Sequence, residues 1–118
     1  MIQINSSFSG EGIGKSKPKF APGQIVIHKR YGYRGVIVAV DGFCQAPPKW
    51  YHANQTQPNR EQPWYHVLVD GSASATYPAE ENLSLELEPE PVQHPLLAAF
   101  FEGFTNGRHL RNSQPWPG

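Results

Sequence analysis

The sequence predicts a mainly β fold: a small SH3-like β-barrel of about five strands with one C-terminal α-helix. Three observations predict it. Twelve Pro and eleven Gly in a 118-residue chain that is 38% hydrophobic describe short elements broken by frequent turns, not a helical bundle. Apolar segments of strand length recur between those turns. The length supports one hydrophobic core and leaves no room for a second domain.

Residues 1–19 are rich in Ser, Gly and Lys, lack apolar periodicity and are expected to form a flexible leader. Phe20-Ala21-Pro22-Gly23 is a turn leading into a first strand over 24–29, with Ile25 and Ile27 on one face and Val26 and His28 on the other. Tyr31-Gly32-Tyr33 reverses the chain. The run GVIVAV over 35–40 is apolar on both faces, which marks a strand buried on both sides or curled into a small barrel. Asp41-Gly42 ends it with turn chemistry. Residues 43–63, rich in Pro, Gln and Asn, read as a long loop of the kind that is usually functional. Further strands are expected over 64–70, 75–78 and 82–87, and closing them into a barrel removes exposed edges. After an acidic linker over 86–91, His94-Pro95 opens a helix in which Leu97, Phe100, Phe101 and Phe104 form one apolar stripe over an open end of the barrel. Asn106-Gly107 is expected to stop that helix, leaving an extended tail over 105–118.

The longest apolar run, LLAAFF over 96–101, is far short of the roughly 18–20 residues a membrane span needs, so no membrane association is expected. The first twenty residues lack the apolar core of a secretory signal. The single cysteine, Cys44, excludes an internal disulfide, and together these point to the cytoplasm. Formal net charge is zero, which argues against coating nucleic acid through bulk electrostatics. The charge is uneven along the chain: eight Lys/Arg face Glu11 and Asp41 in residues 1–60, while two Arg face eight acids in residues 61–118.

Candidate binding residues follow from this pattern. His28, Lys29, Arg30, Tyr31 and Arg34 belong to the one basic cluster interleaved with aromatics, suited to phosphates and base stacking or to an acidic protein partner. Against that stands a plain packing role for Tyr33 and the stem of Arg34, with Lys29 and Arg30 merely solvated. Trp50 and Tyr51 in the long loop are candidate contact residues, whereas Trp64 reads as a core plug. Cys44 has no histidine placed beside it by sequence. His28, His52, His66, His94 and His109 show no paired short spacing, so no catalytic residue, metal ligand or cofactor is assigned. The acids between 80 and 90 would repel DNA and confine any nucleic-acid site to the opposite side.

Five blocks in order carry a family resemblance: Phe20-Ala21-Pro22-Gly23-Gln24; His28 with Arg30-Tyr31-Gly32-Tyr33-Arg34-Gly35-Val36; Trp50 with Gln62-Pro63-Trp64-Tyr65-His66-Val67-Leu68-Val69; Tyr77-Pro78-Ala79-Glu80-Glu81-Asn82-Leu83; and His94-Pro95. Over residues 20–104 the chain resembles the YccV-like, or hemimethylated DNA-binding, domain family, to which the bacterial heat-shock protein HspQ belongs. The resemblance implies a small SH3-like barrel without catalytic machinery, and roles in binding hemimethylated DNA and in modulating the ATP-dependent protease Lon. Pro78 departs from the larger β-former expected there, and the leader and tail inherit nothing from the family. The leading expectation is therefore a non-enzymatic, HspQ-like adaptor or modulator of ATP-dependent proteolysis in the stress response, with the protease or its client as partner. Binding of DNA through residues 28–34 is the alternative, and a hydrolase built on Cys44 and a histidine is the remote one. An exposed apolar stripe would also allow a homo-oligomer.

Overall fold

The computed structural model describes residues 17–54 and 56–118; apart from 17–19, the expected leader lies outside the described residues. The five expected strands are all found, as β1 (Ile25–His28), β2 (Arg34–Asp41), β3 (Trp64–Val69), β4 (Ala75–Thr76) and β5 (Leu83–Leu85). They form one antiparallel sheet in the order β4-β3-β2-β1-β5. β2 lies at its centre, with Ile25 opposite Val36 on one side and Gly35 opposite Val69 on the other. A register shift between Ile37 and Ala39 marks a bulge, which bends the strand and strengthens its twist.

Alternation sorts the strand residues onto two faces, and both are buried. Ile25, Val36, Val38 and Leu68 pack with Val92, Phe100 and Phe101 on one side; Val26, Ile37, Tyr65, Val67 and Leu83 pack together on the other. Each such side chain stabilises the fold by roughly 1.5–3 kcal/mol relative to exposure. The two-sided apolar run of β2 thus reflects a strand covered on both faces.

The sheet is open, however, where the sequence suggested a closed barrel. β4 and β5 are its two edges. β4 is only two residues long, and Pro78 follows, which has no N–H to extend a ladder. Beyond it the chain stays beside β3 through the Tyr65 N–H donated to the Pro78 carbonyl (2.9 Å) and a single bridge between Trp64 and Ala79. A 3-10 turn at Glu80–Asn82 then carries it to the far side of β1.

The long C-terminal helix is also replaced. Only one turn is helical, α2 (Leu97–Phe100), and the chain continues as a hairpin of β6 (Phe101–Thr105) and β7 (Arg108–Arg111). Asn106 and Gly107 form its two-residue turn, both at positive φ (53° and 76°), the geometry that suits a tight hairpin. The Asn-Gly pair expected to end a helix is therefore a strand reversal. Its rings still cover the sheet: Phe100 and Phe101 are buried, and Arg111 donates from Nε to the Val38 carbonyl (2.8 Å). His109 is buried beneath the hairpin, where its Nε2 accepts the Val92 N–H (2.9 Å). Gly23 makes this docking possible. A Cβ there would lie 2.1 Å from the His109 carbonyl oxygen, and its φ of +97° suits glycine.

Among the described residues no helix is long and apolar enough to cross a membrane. The expected loop over 43–63 contains one short helix, α1 (Pro48–Ala53).

Candidate functional site: a ring-lined groove

One wall of the site is the β1–β2 connection. β1 ends at His28, and Gly32, at φ +77°, allows the tight reversal. The turn is closed by the His28 N–H to the Tyr33 carbonyl and the Gly32 N–H to the His28 carbonyl, both 2.8 Å. The His28 side chain is only 4% exposed, and its Nδ1 accepts the N–H groups of Arg30 and Tyr31, each at 3.1 Å. Burial, assisted by the nearby Arg30 charge, holds its pKa below the usual histidine value and keeps it neutral and accepting. Tyr31 and Tyr33 stack on this imidazole at 4.7 and 5.2 Å, and Tyr33 is fixed to Thr76 by a 2.7 Å hydroxyl contact.

The cations of the basic cluster divide into two kinds. Arg34 turns inward to Asp70 (2.7 Å), to Glu86 (3.6 Å) and to the Glu90 carbonyl, so the basic and acidic halves of the sequence meet there. Burial pushes the Asp70 carboxyl up, but the Gln93 N–H, the Arg34 guanidinium and the Gly71 N–H outweigh it and hold the group below its ordinary value. Lys29 and Arg30 are exposed, with the Arg30 guanidinium 5.7 Å above the Tyr31 ring, which is itself 54% exposed.

The opposite wall is α1. Trp50 stands edge-on to Tyr77 (5.7 Å) and Trp64 (6.3 Å) and remains 38% exposed. Its neighbour Tyr51 also lies edge-on to Trp64 (6.3 Å), and donates its hydroxyl to the carbonyls of Pro58 (2.7 Å) and Gln57 (2.9 Å), with Arg60 above its ring (4.9 Å). Tyr51 thereby ties α1 to the later part of the same loop. Cys44 lies in the same region as a free, buried cysteine packed with Trp64 and Ala79.

The floor comes from residues distant in sequence. Tyr77 donates to the Asp41 carboxylate (2.5 Å), the His66 Nε2 lies 3.2 Å from the same oxygen, and the Gln45 N–H donates to the Tyr77 hydroxyl (3.0 Å). Burial first, and then the bond to Asp41, push the Tyr77 hydroxyl pKa well up, so it remains a donor. The His66 ring lies tilted over Tyr77 (4.4 Å), and the Trp116 ring comes to 5.8 Å from it. The groove is open to solvent and has a volume of about 680 Å³.

Of the seven binding candidates, His28, Tyr31 and Trp50 line this groove, and Lys29 and Arg30 project from the turn that forms one wall. Arg34 and Tyr51 are engaged elsewhere. Sequence reasoning missed Asp41, His66, Tyr77 and Trp116 as members of the site. For His66 the signal was present, because alternation places it on the same face as Trp64. Among the described residues, no group of three or more His, Cys, Asp or Glu side chains is gathered to hold a metal ion.

The described residues thus form a mainly β domain with a ring-lined groove beside an exposed basic turn. Comparison with known proteins supplies the family: the model described as "Hemimethylated DNA-binding protein YccV like" matches residues 18–108, and the chain belongs to this family. It is also similar to F-box only protein 21 of Homo sapiens and of Pongo abelii, each 34% identical over 98 residues, and of Mus musculus, 33% identical over the same length. These matches cover 80% of this chain but only 15–16% of the relatives, so the chain spans about a sixth of their length. Every groove residue named above lies within the family match except Trp116.

Proposed function

We propose that this chain is a non-catalytic binding module that contacts DNA through the β1–β2 turn and the rim of the groove. The observation that carries the reading is the division of labour in the basic cluster: His28 and Arg34 are bound internally, while Lys29, Arg30 and Tyr31 face outward. Membership of a family described by hemimethylated DNA binding supports it. Two free cations at the turn, with Lys49 on α1, make few phosphate contacts. Affinity is therefore modest and salt-sensitive, falling roughly 10- to 40-fold between 50 and 200 mM salt for two or three contacts. Fluorescence anisotropy with hemimethylated, fully methylated and unmethylated duplexes tests the proposal. Binding that prefers the hemimethylated duplex supports it, and absence of binding to all three at about 0.1 M salt removes it.

A second reading keeps the partner a protein: an HspQ-like adaptor or modulator of a Lon-type ATP-dependent protease in the cytoplasm. The exposed Tyr31 and Trp50, residue types that anchor protein interfaces, support it. Co-purification of an ATP-dependent protease, lost on Trp50→Ala, is its expected signature. A reconstituted protease whose rate is indifferent to the chain would count against it.

A further inference from the structure

The groove beneath the basic turn is distinct in chemistry from the turn itself. Its sides are the stacked Tyr31, His28 and Tyr33 and the indole of Trp50, and its remaining polar edges are neutral amides and hydroxyls from Gln45, Asn54, Thr76 and Asn82. Among the described residues the one acidic side chain in the lining, Asp41, is bonded to Tyr77 and His66. A phosphate would find no free cation there and would face that carboxylate. A flat, neutral ring with hydrogen-bonding edges meets aromatic faces and amide partners instead. The free cations Lys29 and Arg30 stand just outside on the turn, and Lys49 adjoins Trp50 on the opposite wall.

We propose that the groove takes an unpaired nucleobase, stacked on Trp50 and bounded by Tyr31, with the flanking phosphates held outside by Lys29, Arg30 and Lys49. This deepens the DNA reading and rests on it. The charge layout matches a nucleotide part for part: neutral ring inside, anionic backbone at a cationic rim. Base stacking on aromatic side chains tolerates any sequence, and its usual strength corresponds to roughly 5- to 150-fold in affinity per base. A duplex presents such a base only after unstacking, so the preferred ligand has one already unpaired.

All three tryptophans of the chain, Trp50, Trp64 and Trp116, line the groove, so intrinsic fluorescence reports its occupancy directly. The test titrates the full chain with a single-stranded oligonucleotide, a fully paired duplex, and the same duplex with one unpaired base, each followed by anisotropy and by tryptophan quenching. The single strand and the duplex with an unpaired base are expected to quench and to bind about tenfold more tightly than the paired duplex. Tyr31→Ala and Trp50→Ala should each remove most of that tenfold advantage, while Trp50→Phe, which keeps a stacking face, retains it. Thermal melts of the variants separate loss of stacking from loss of fold. If the paired duplex binds through Lys29 and Arg30 without any preference for an unpaired base and without quenching, the base site is wrong while the DNA reading stands. If no DNA form binds, both fall. Quenching by an extended proline-containing peptide but not by any oligonucleotide would make the groove a peptide site and overturn the inference.

Discussion

Two groups of rings flank the central sheet, built from the same components and used differently. Under the C-terminal hairpin, Phe100 and Phe101 lie against Arg111, whose guanidinium sits 5.2 Å and 5.9 Å from their centroids and donates to the carbonyls of Val38, Phe100 and Asn112. At the β1–β2 turn, Tyr31 lies under Arg30, whose charge stays in solvent. Each group contains a buried histidine accepting backbone N–H: His109 from Val92, and His28 from Arg30 and Tyr31. In both, burial lowers the histidine pKa, with help from Arg34 for His109 and Arg30 for His28. The comparison teaches that a ring-and-arginine cluster closes a core when its guanidinium is satisfied internally. Left facing water, as at Arg30 and Tyr31, a cluster of the same kind leaves its cation and its ring exposed.

Truncation of one ring on each side should separate the two roles most strongly. Phe101→Ala opens a cavity in the sealed cluster and is expected to cost about 3–5 kcal/mol, enough to unfold much of a marginal domain. Trp50→Ala, at a half-exposed ring, should cost no more than about 1.5 kcal/mol. Urea unfolding measures both, and equal costs would break the comparison. The next largest effect is at the seam between sheet and hairpin. Gly23→Ala forces a Cβ against the His109 carbonyl at a positive φ and is expected to destabilise by about 2 kcal/mol or more, with thermal unfolding as the readout.

How far these two regions were legible in the sequence differs for physical reasons. The five strands were readable because Ile25 to His28, the GVIVAV run and the Trp64 to Val69 segment carry β-branched and aromatic residues between turn formers, and their side-chain faces follow from alternation. The hairpin was not. Leu97, Phe100, Phe101 and Phe104 satisfy a helical stripe, and Asn106-Gly107 serves equally as a helix stop or a two-residue turn. Gly103, central in β6, was the residue that argued against a helix. Within the groove, Tyr31 and Trp50 were found as aromatics flanking loops. The floor was not legible, because Asp41 and Tyr77 meet across 36 residues and Trp116 arrives from a segment expected to be tail. The sheet stays open between β4, which ends after two residues, and β5, where a closed barrel was expected.

Smaller effects sharpen the comparison further. Because both buried histidines resist protonation in the folded state, the unfolded chain binds protons more readily, and stability falls as pH drops from about 6.5 toward the lowered folded values. Each group contributes a slope of at most about 1.4 kcal/mol per pH unit. His109→Gln, whose amide oxygen can accept the Val92 N–H, should flatten the slope measured by urea unfolding between pH 7.5 and 5; an unchanged slope would contradict a buried neutral His109. Smallest of all, Lys29→Ala with Arg30→Ala should alter stability by less than about 0.5 kcal/mol, since neither holds the fold. The same pair should lower the salt dependence of DNA binding by roughly two phosphate contacts.

The most direct test of the outward-facing cluster is a two-dimensional amide and indole NMR titration of the full chain with a hemimethylated duplex. The account predicts shifts at the amides of Lys29, Arg30 and Tyr31, with the amides of the Phe101–Arg111 hairpin unmoved. Shifts centred on that hairpin, or none at the β1–β2 turn, would contradict it.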